Sequence, residues 1–154
     1  MATCFDVADF FIANADPDEG ITNLKLQKMC AYAQAFSLVL IGRRLFNSAL
    51  KAWPHGPVVS ALHRRYSAYG KNALSCAVLA EDSRVPFSNE ELFILETVNS
   101  YYGRYAAWVL RDMSHNDFPG DFNSPARPVI PDDEVISSFS GNKVVKAIMD
   151  VYAA

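Results

Sequence analysis

The side chains in this sequence able to do chemistry are few: His55, His63 and His115, the thiols Cys4, Cys30 and Cys76, and Ser60. A thiol or hydroxyl beside an imidazole makes an acyl-transfer nucleophile, and a cluster of His and Cys makes a metal site. The cysteines lie 26 and 46 residues apart, which fits neither a disulfide framework nor a closely spaced zinc pair. Reduced, buried thiols are therefore expected. Cys30 stands within an apolar helical run, where desolvation makes a thiol inert. His55 lies in the turn Pro54-His55-Gly56-Pro57, which holds an imidazole against the backbone or presents it to a ligand. His115 follows Ser114 at the end of a helix, where a charged ring complements the dipole. His63, followed by Arg64 and Arg65, reads as exposed. No G-x-x-x-x-G-K-[ST], G-x-G-x-x-G, H-E-x-x-H or G-x-S-x-G string occurs, so nucleotide, zinc-protease and hydrolase readings lack a motif. No catalytic residue, cofactor or metal is expected. The rival is a small enzyme using His55 or His115 with Cys30, which requires those side chains to share an accessible pocket.

The elements that must position these residues read mostly as helices. Thr3 and Asp6 suggest a capping arrangement before a first helix over residues 5–14, which Asp16-Pro17-Asp18-Glu19-Gly20 breaks. Thr22 or Asn23 caps a second helix that runs to Gly42, with Lys25, Gln27 and Lys28 confining polarity to its first turns. Its second half should be central to the core. Residues 43–53 read as an irregular connection, and Pro57 suits the first position of a third helix carrying Val58, Val59, Leu62, Tyr66 and Tyr69 up to Gly70. Between 72 and 87 the pattern is ambiguous between a short strand and an extended loop. Ser88 and Glu91 form a capping box for a fourth helix ending at Gly103, and a fifth spans 105–113. Residues 114–131 hold four prolines and read as a long surface loop. Asp132 can cap a short helix through Phe139, and a last amphipathic helix starts at Asn142. The expected architecture is all-α or predominantly α, a compact single domain over residues 1–154 of about six to seven helices, with a short strand pair near residues 76–86 left open.

Composition narrows the function. With 154 residues, 51% hydrophobic and 20% charged, the chain can bury a core without a disulfide or metal staple. Fourteen Lys and Arg against 17 Asp and Glu give a net charge of −3, with no basic run to follow a phosphate backbone; no direct nucleic-acid partner is expected. Arg43, Arg44, Lys51, Arg64, Arg65 and Lys71 make one half of the chain basic, a surface for an acidic partner or a solvated face. The apolar stretch 29–41 is shorter than the roughly 20 residues a membrane span needs, and residues 1–14 carry Asp6 and Asp9 and lack a secretory pattern. A cytoplasmic protein without membrane contact is expected.

Three strings together resemble the Panacea domain, the family of phage-associated and SocA-like antitoxin proteins. The first is Ile21-Thr22-Asn23-Leu24-Lys25-Leu26-Gln27-Lys28-Met29, continuing through Tyr32-Ala33-Gln34. The second is Trp53-Pro54-His55-Gly56-Pro57-Val58 with Tyr66 and Tyr69-Gly70. The third is Tyr105, Leu110 and Ser114-His115 with Ile130-Pro131-Asp132-Asp133. The chain departs from the family pattern after His115, where Pro119-Gly120 stands in place of a Pro-Trp pair, so the role of the 114–131 loop does not carry over. The resemblance implies a helical binding module that neutralises a cognate protein toxin by direct contact, in some relatives as an adaptor delivering the toxin to a Clp-type protease. A phage or mobile-element factor binding another host protein would look the same.

Neutralisation by contact needs exposed aromatic and arginine anchors. The candidates are Trp53, His55, Arg64, Arg65 and Tyr69 around the turn and third helix, with Trp53 and Tyr69 alternatively anchoring the turn to the core. His115, Phe118, Phe122 and Arg127 form the second group. Ala153 and Ala154 resemble the small apolar tails read by Clp-type proteases. Val144, Ile148 and Val151 close the core or pair with a second chain, so oligomeric state stays open.

Overall fold

A computed structural model of the chain describes residues 1–74 and 87–153. Among them are seven α-helices and two two-stranded antiparallel pairs, so the fold is predominantly α, as expected. Helix α1 (Cys4–Ala13) starts at the anticipated capping box: Asp6 N–H donates to the Thr3 hydroxyl at 3.2 Å and Thr3 N–H to the Asp6 carboxylate at 2.9 Å. The Thr22 hydroxyl caps α2 (Asn23–Leu40), which ends where Gly42 takes φ +80°, a conformation cheap only for glycine. No helix among the described residues is long and apolar enough to cross a membrane.

Helix α2 is the axis of the molecule. Every residue from 26 to 38 is buried, because other elements pack around it rather than against one stripe. Its polar residues are therefore not a solvated face: Gln27 and Lys28, expected to mark polar first turns, are 3% and 0% exposed. Such burial is tolerated only where each polar group finds a partner, and here the partners are backbone atoms of the segment that follows. Gln34 Oε1 accepts from Leu45 N–H at 2.8 Å and Phe46 N–H at 3.2 Å, and Gln34 Nε2 donates to the Phe46 carbonyl at 2.7 Å.

Residues 43–59 depart from the sequence reading. Instead of an irregular connection and a helix starting at Pro57, β2 (Leu50–Trp53) and β3 (Gly56–Val59) form a hairpin whose two-residue connection is Pro54-His55, with Leu50 opposite Val59 and Trp53 opposite Gly56. Pro57 lacks an N–H and is tolerated on an edge strand, while Val58 and Val59 favour extended backbone. Gln27 and Lys28 cover that edge: Val59 N–H donates to Gln27 Oε1 at 2.9 Å, and Lys28 Nζ donates to the Pro57 carbonyl at 3.0 Å. The other side of β2 is paired by the late loop, through Ala52 N–H to Pro128 O and Ile130 N–H to Leu50 O, both at 2.8 Å. Helix α3 (Ser60–Tyr66) follows directly, and a 3₁₀ turn (Ser67–Tyr69) leads to Gly70.

The first strand, β1 (Ile21–Thr22), pairs with β4 (Ala73–Leu74). The strand pair anticipated near 76–86, and Cys76, lie outside the described residues. Helix α4 (Asn89–Tyr102) begins at the Ser88–Glu91 capping box. Helix α5 (Ala107–Asp117) lies later than anticipated and takes in Ser114 and His115, so the loop begins at Phe118. Asp132 opens α6 (Asp132–Phe139) without capping it, and its carboxylate instead meets Arg44 at 2.7 Å. Asn142 Oδ1 accepts from the Val144 and Val145 amides ahead of α7 (Lys143–Ala153). On α7 Val145 is fully buried, Val144 and Ile148 are half-buried against the core, and Val151 is exposed. At the centre Tyr32 stacks on Tyr102, ring centroids 3.9 Å apart, with Phe118 and Phe139 edge-on.

Candidate functional site

The hairpin tip, the first turns of α2, the start of α5 and the late loop enclose a groove of about 690 Å³. Trp53, His55, His63 and Trp108 give it aromatic walls, and Leu24, Val58 and Ala107 an apolar floor. Lys28, Lys71 and Arg127 line it as well, and among the described residues no carboxylate does.

A chain of polar contacts holds the hairpin tip against α5. His115 lies with Nδ1 2.8 Å from the Arg111 carbonyl and Nε2 2.9 Å from the Pro54 carbonyl, while Phe122 packs on its other side. Arg111 Nε donates to His55 Nδ1 at 3.1 Å, and the Arg111 guanidinium sits 5.1 Å from the Trp108 ring centroid. Burial, then the positive charges of Arg111, Lys28 and His115, lower the His55 pKa, which suits its role as acceptor. Behind the wall, burial pushes the Lys28 ammonium down to about 7, with Arg111 adding to the effect.

Trp53 is only half-buried. Arg127 covers its ring at 4.2 Å and His63 packs edge-on at 4.8 Å, so His63 is a wall of the groove rather than a free surface side chain. Arg127 takes φ +47°, a left-handed conformation uncommon for a side-chain-bearing residue. The Trp53 indole N–H is buried without a hydrogen-bond partner among the described residues.

Of the candidate contacts, Trp53, His55 and Arg127 therefore share one groove, with His115 and Phe122 supporting its hairpin from behind. Arg65 is elsewhere, stacked at 4.5 Å over Phe5 of α1, and Arg64 and Tyr69 are exposed on and after α3. Tyr69, at 39% exposure, is no core anchor. Phe118 is 3% exposed and packs in the core between Tyr32 and Phe139, because α5 extends to Asp117 and turns it inward. Ala153 closes α7, and Ala154 lies outside the described residues. The basic residues do not form one field: Arg43 meets Glu91 and Arg44 meets Asp132.

Lys28, His63 and Trp108 are groove residues the sequence reading missed, and Lys71, read there only as one of the basic residues open to an acidic partner, joins them. Lys28 carried a signal, since its helical neighbours Leu24, Ala31 and Tyr32 are apolar and place it on a buried face. Cys30 is fully buried, with burial raising its thiol well above the ordinary range, and it lies in the core instead of lining the groove with His55. A second groove between α2, α4 and α7 is lined mainly by apolar side chains, among them Leu40, Ile41, Phe93, Met149 and Tyr152, with Asn89 and Glu90 at its polar part.

Helical domain, buried α2 and a hairpin-bounded groove coincide with a family signature. Residues 26–119, more than half of the chain, match the model of the antitoxin SocA-like, Panacea domain family, and the chain belongs to that family. The match spans most of α2, the hairpin and α5, three of the elements that bound the groove, and stops before the late loop that carries Arg127. No curated protein and no solved structure matches the chain.

Proposed function

We propose that this protein is an antitoxin that neutralises a protein toxin by direct contact, with the groove between the β2–β3 hairpin and α5 as its contact surface. The observation that carries the reading is Trp108. It is a tryptophan 59% exposed in a family of antitoxins, braced by Arg111 and His55 beside Trp53 and Arg127. Rigid aromatic and arginine side chains around a cavity are the usual anchors of a protein interface. Delivery of the bound toxin to a Clp-type protease is a further step open to such a complex, and so is simple occlusion.

The test is co-expression with each neighbouring open reading frame, scoring growth and co-purification. One neighbour should be toxic alone and harmless with this protein. Trp108→Asp should abolish both rescue and the complex while leaving the unfolding temperature unchanged. A neighbourhood with no toxic product and no co-purifying protein overturns the proposal. Rescue that persists in Trp108→Asp removes the groove from it.

A further inference from the structure

We infer that the segment received by the groove is acidic: a stretch of the partner protein carrying Asp or Glu beside an apolar side chain. The inference rests on the antitoxin reading and names the partner's chemistry. The chain as a whole is negative, with 17 acidic against 14 basic residues, yet among the described residues every ionisable side chain lining the groove is Lys, Arg or His. Arg43, Arg44 and Arg111 are matched by Glu91, Asp132 and Asp112. Lys71 and Arg127 make no ion pair among the described residues. An anion arriving there meets positive charge that no carboxylate among the described lining residues compensates.

Two further features say what accompanies the anion. The Trp53 indole N–H, buried and unpartnered among the described residues, calls for an acceptor, which a carboxylate or a backbone carbonyl supplies. Leu24, Val58 and Ala107 leave apolar surface on the floor, which a bare inorganic anion would not cover and an aliphatic or aromatic side chain would. A peptide segment provides all three groups along one chain.

Both tryptophans of the protein, Trp53 and Trp108, line this groove, so intrinsic fluorescence reads it without a label. Short random peptides displayed on phage are selected on the full chain, and the enriched sequences are synthesised and titrated. Enrichment of Asp or Glu next to apolar residues is expected, with a fluorescence change on binding. The Lys71→Glu/Arg127→Glu pair should weaken that binding by about tenfold or more, as should high salt. Both side chains are exposed, and an unchanged unfolding temperature shows the double variant folded. Enriched peptides without acidic bias, or acidic ones indifferent to the double variant, overturn the inference. So does ATP, used as a probe, binding more tightly than any selected peptide. A toxin complex that forms equally well with Lys71→Glu/Arg127→Glu defeats the acidic segment alone, whereas the absence of any complex defeats the antitoxin reading beneath it.

Discussion

The ammonium of Lys28, on the central helix, donates to the carbonyl of Pro57 at 3.0 Å across 29 residues of sequence, so the lysine that looks like part of a polar first turn is a clamp on the edge of the hairpin. That placement makes the stability of the fold depend on pH. In the folded chain Lys28 gives up its proton at about 7, against 10.5 for an unperturbed lysine, the cause being burial and then the charge of Arg111, with His55 and His115 also facing this cluster. Between those values the unfolded chain binds the extra proton, so stability rises with pH; below about 7 both states are charged and the penalty is fully present. Lys28→Met should remove this dependence. The wild-type minus variant difference in unfolding free energy, from urea titrations, should climb by as much as about 1.4 kcal/mol per pH unit between neutral pH and pH 9. A flat difference would mean that Lys28 keeps its charge in the folded protein.

Gln34 makes a second prediction by the same logic. Its amide satisfies two backbone N–H groups and one carbonyl of residues 45 and 46, all buried. Gln34→Leu keeps comparable volume and leaves those groups without partners, each at about 1–3 kcal/mol. A loss of about 3 kcal/mol or more by urea unfolding is expected; a loss below about 1 kcal/mol would show that the loop finds other partners.

What was legible in the sequence was local. Thr3–Asp6 and Ser88–Glu91 announce helix starts because a cap is completed within four residues, and Gly42 announces a stop because left-handed backbone is a property of one residue. The hairpin was not legible, since Pro57 and its valines are equally acceptable at a helix start or on an edge strand, and the choice is made by Gln27 and Lys28 some 30 residues earlier. The groove inherits that difficulty. Trp53, His55 and Arg127 were within reach as exposed-type residues near turns, but Trp108 and Lys71 join them only through the docking of α5 and the turn after α3 onto α2.

Phe118 and Phe122, four residues apart in the same proline-rich stretch, should behave oppositely. Phe118 is enclosed by Tyr32 and Phe139, whereas Phe122 is half-buried over His115. Phe118→Ala should cost about 3–5 kcal/mol and lower the unfolding temperature sharply. Phe122→Ala should cost well under half as much and act chiefly on partner binding, through the seating of His115 under the hairpin tip. Equal destabilisation by the two would contradict the inward turn at the end of α5.

Gly56 joins the hairpin to the clamp. Its φ of +106° is a conformation that side-chain-bearing residues avoid, and a Cβ there would lie 2.7 Å from Ser114 Oγ and 3.3 Å from Cε and Nζ of Lys28. Ser114 is buried and its hydroxyl is engaged with the Arg111 carbonyl at 2.8 Å, so it cannot retreat without releasing α5, and Lys28 cannot retreat without releasing Pro57. Gly56→Ala therefore combines backbone strain with a clash at the point where hairpin, α2 and α5 meet. The expected cost is about 2–4 kcal/mol in urea unfolding, with a changed tryptophan emission as Trp53 and Trp108 move apart. The companion variant Gly42→Ala, where the backbone is also left-handed at φ +80° but nothing lies within 4 Å, should cost only the backbone part, about 1 kcal/mol. Equal losses in the two would show that no steric lock exists between the hairpin tip and α5.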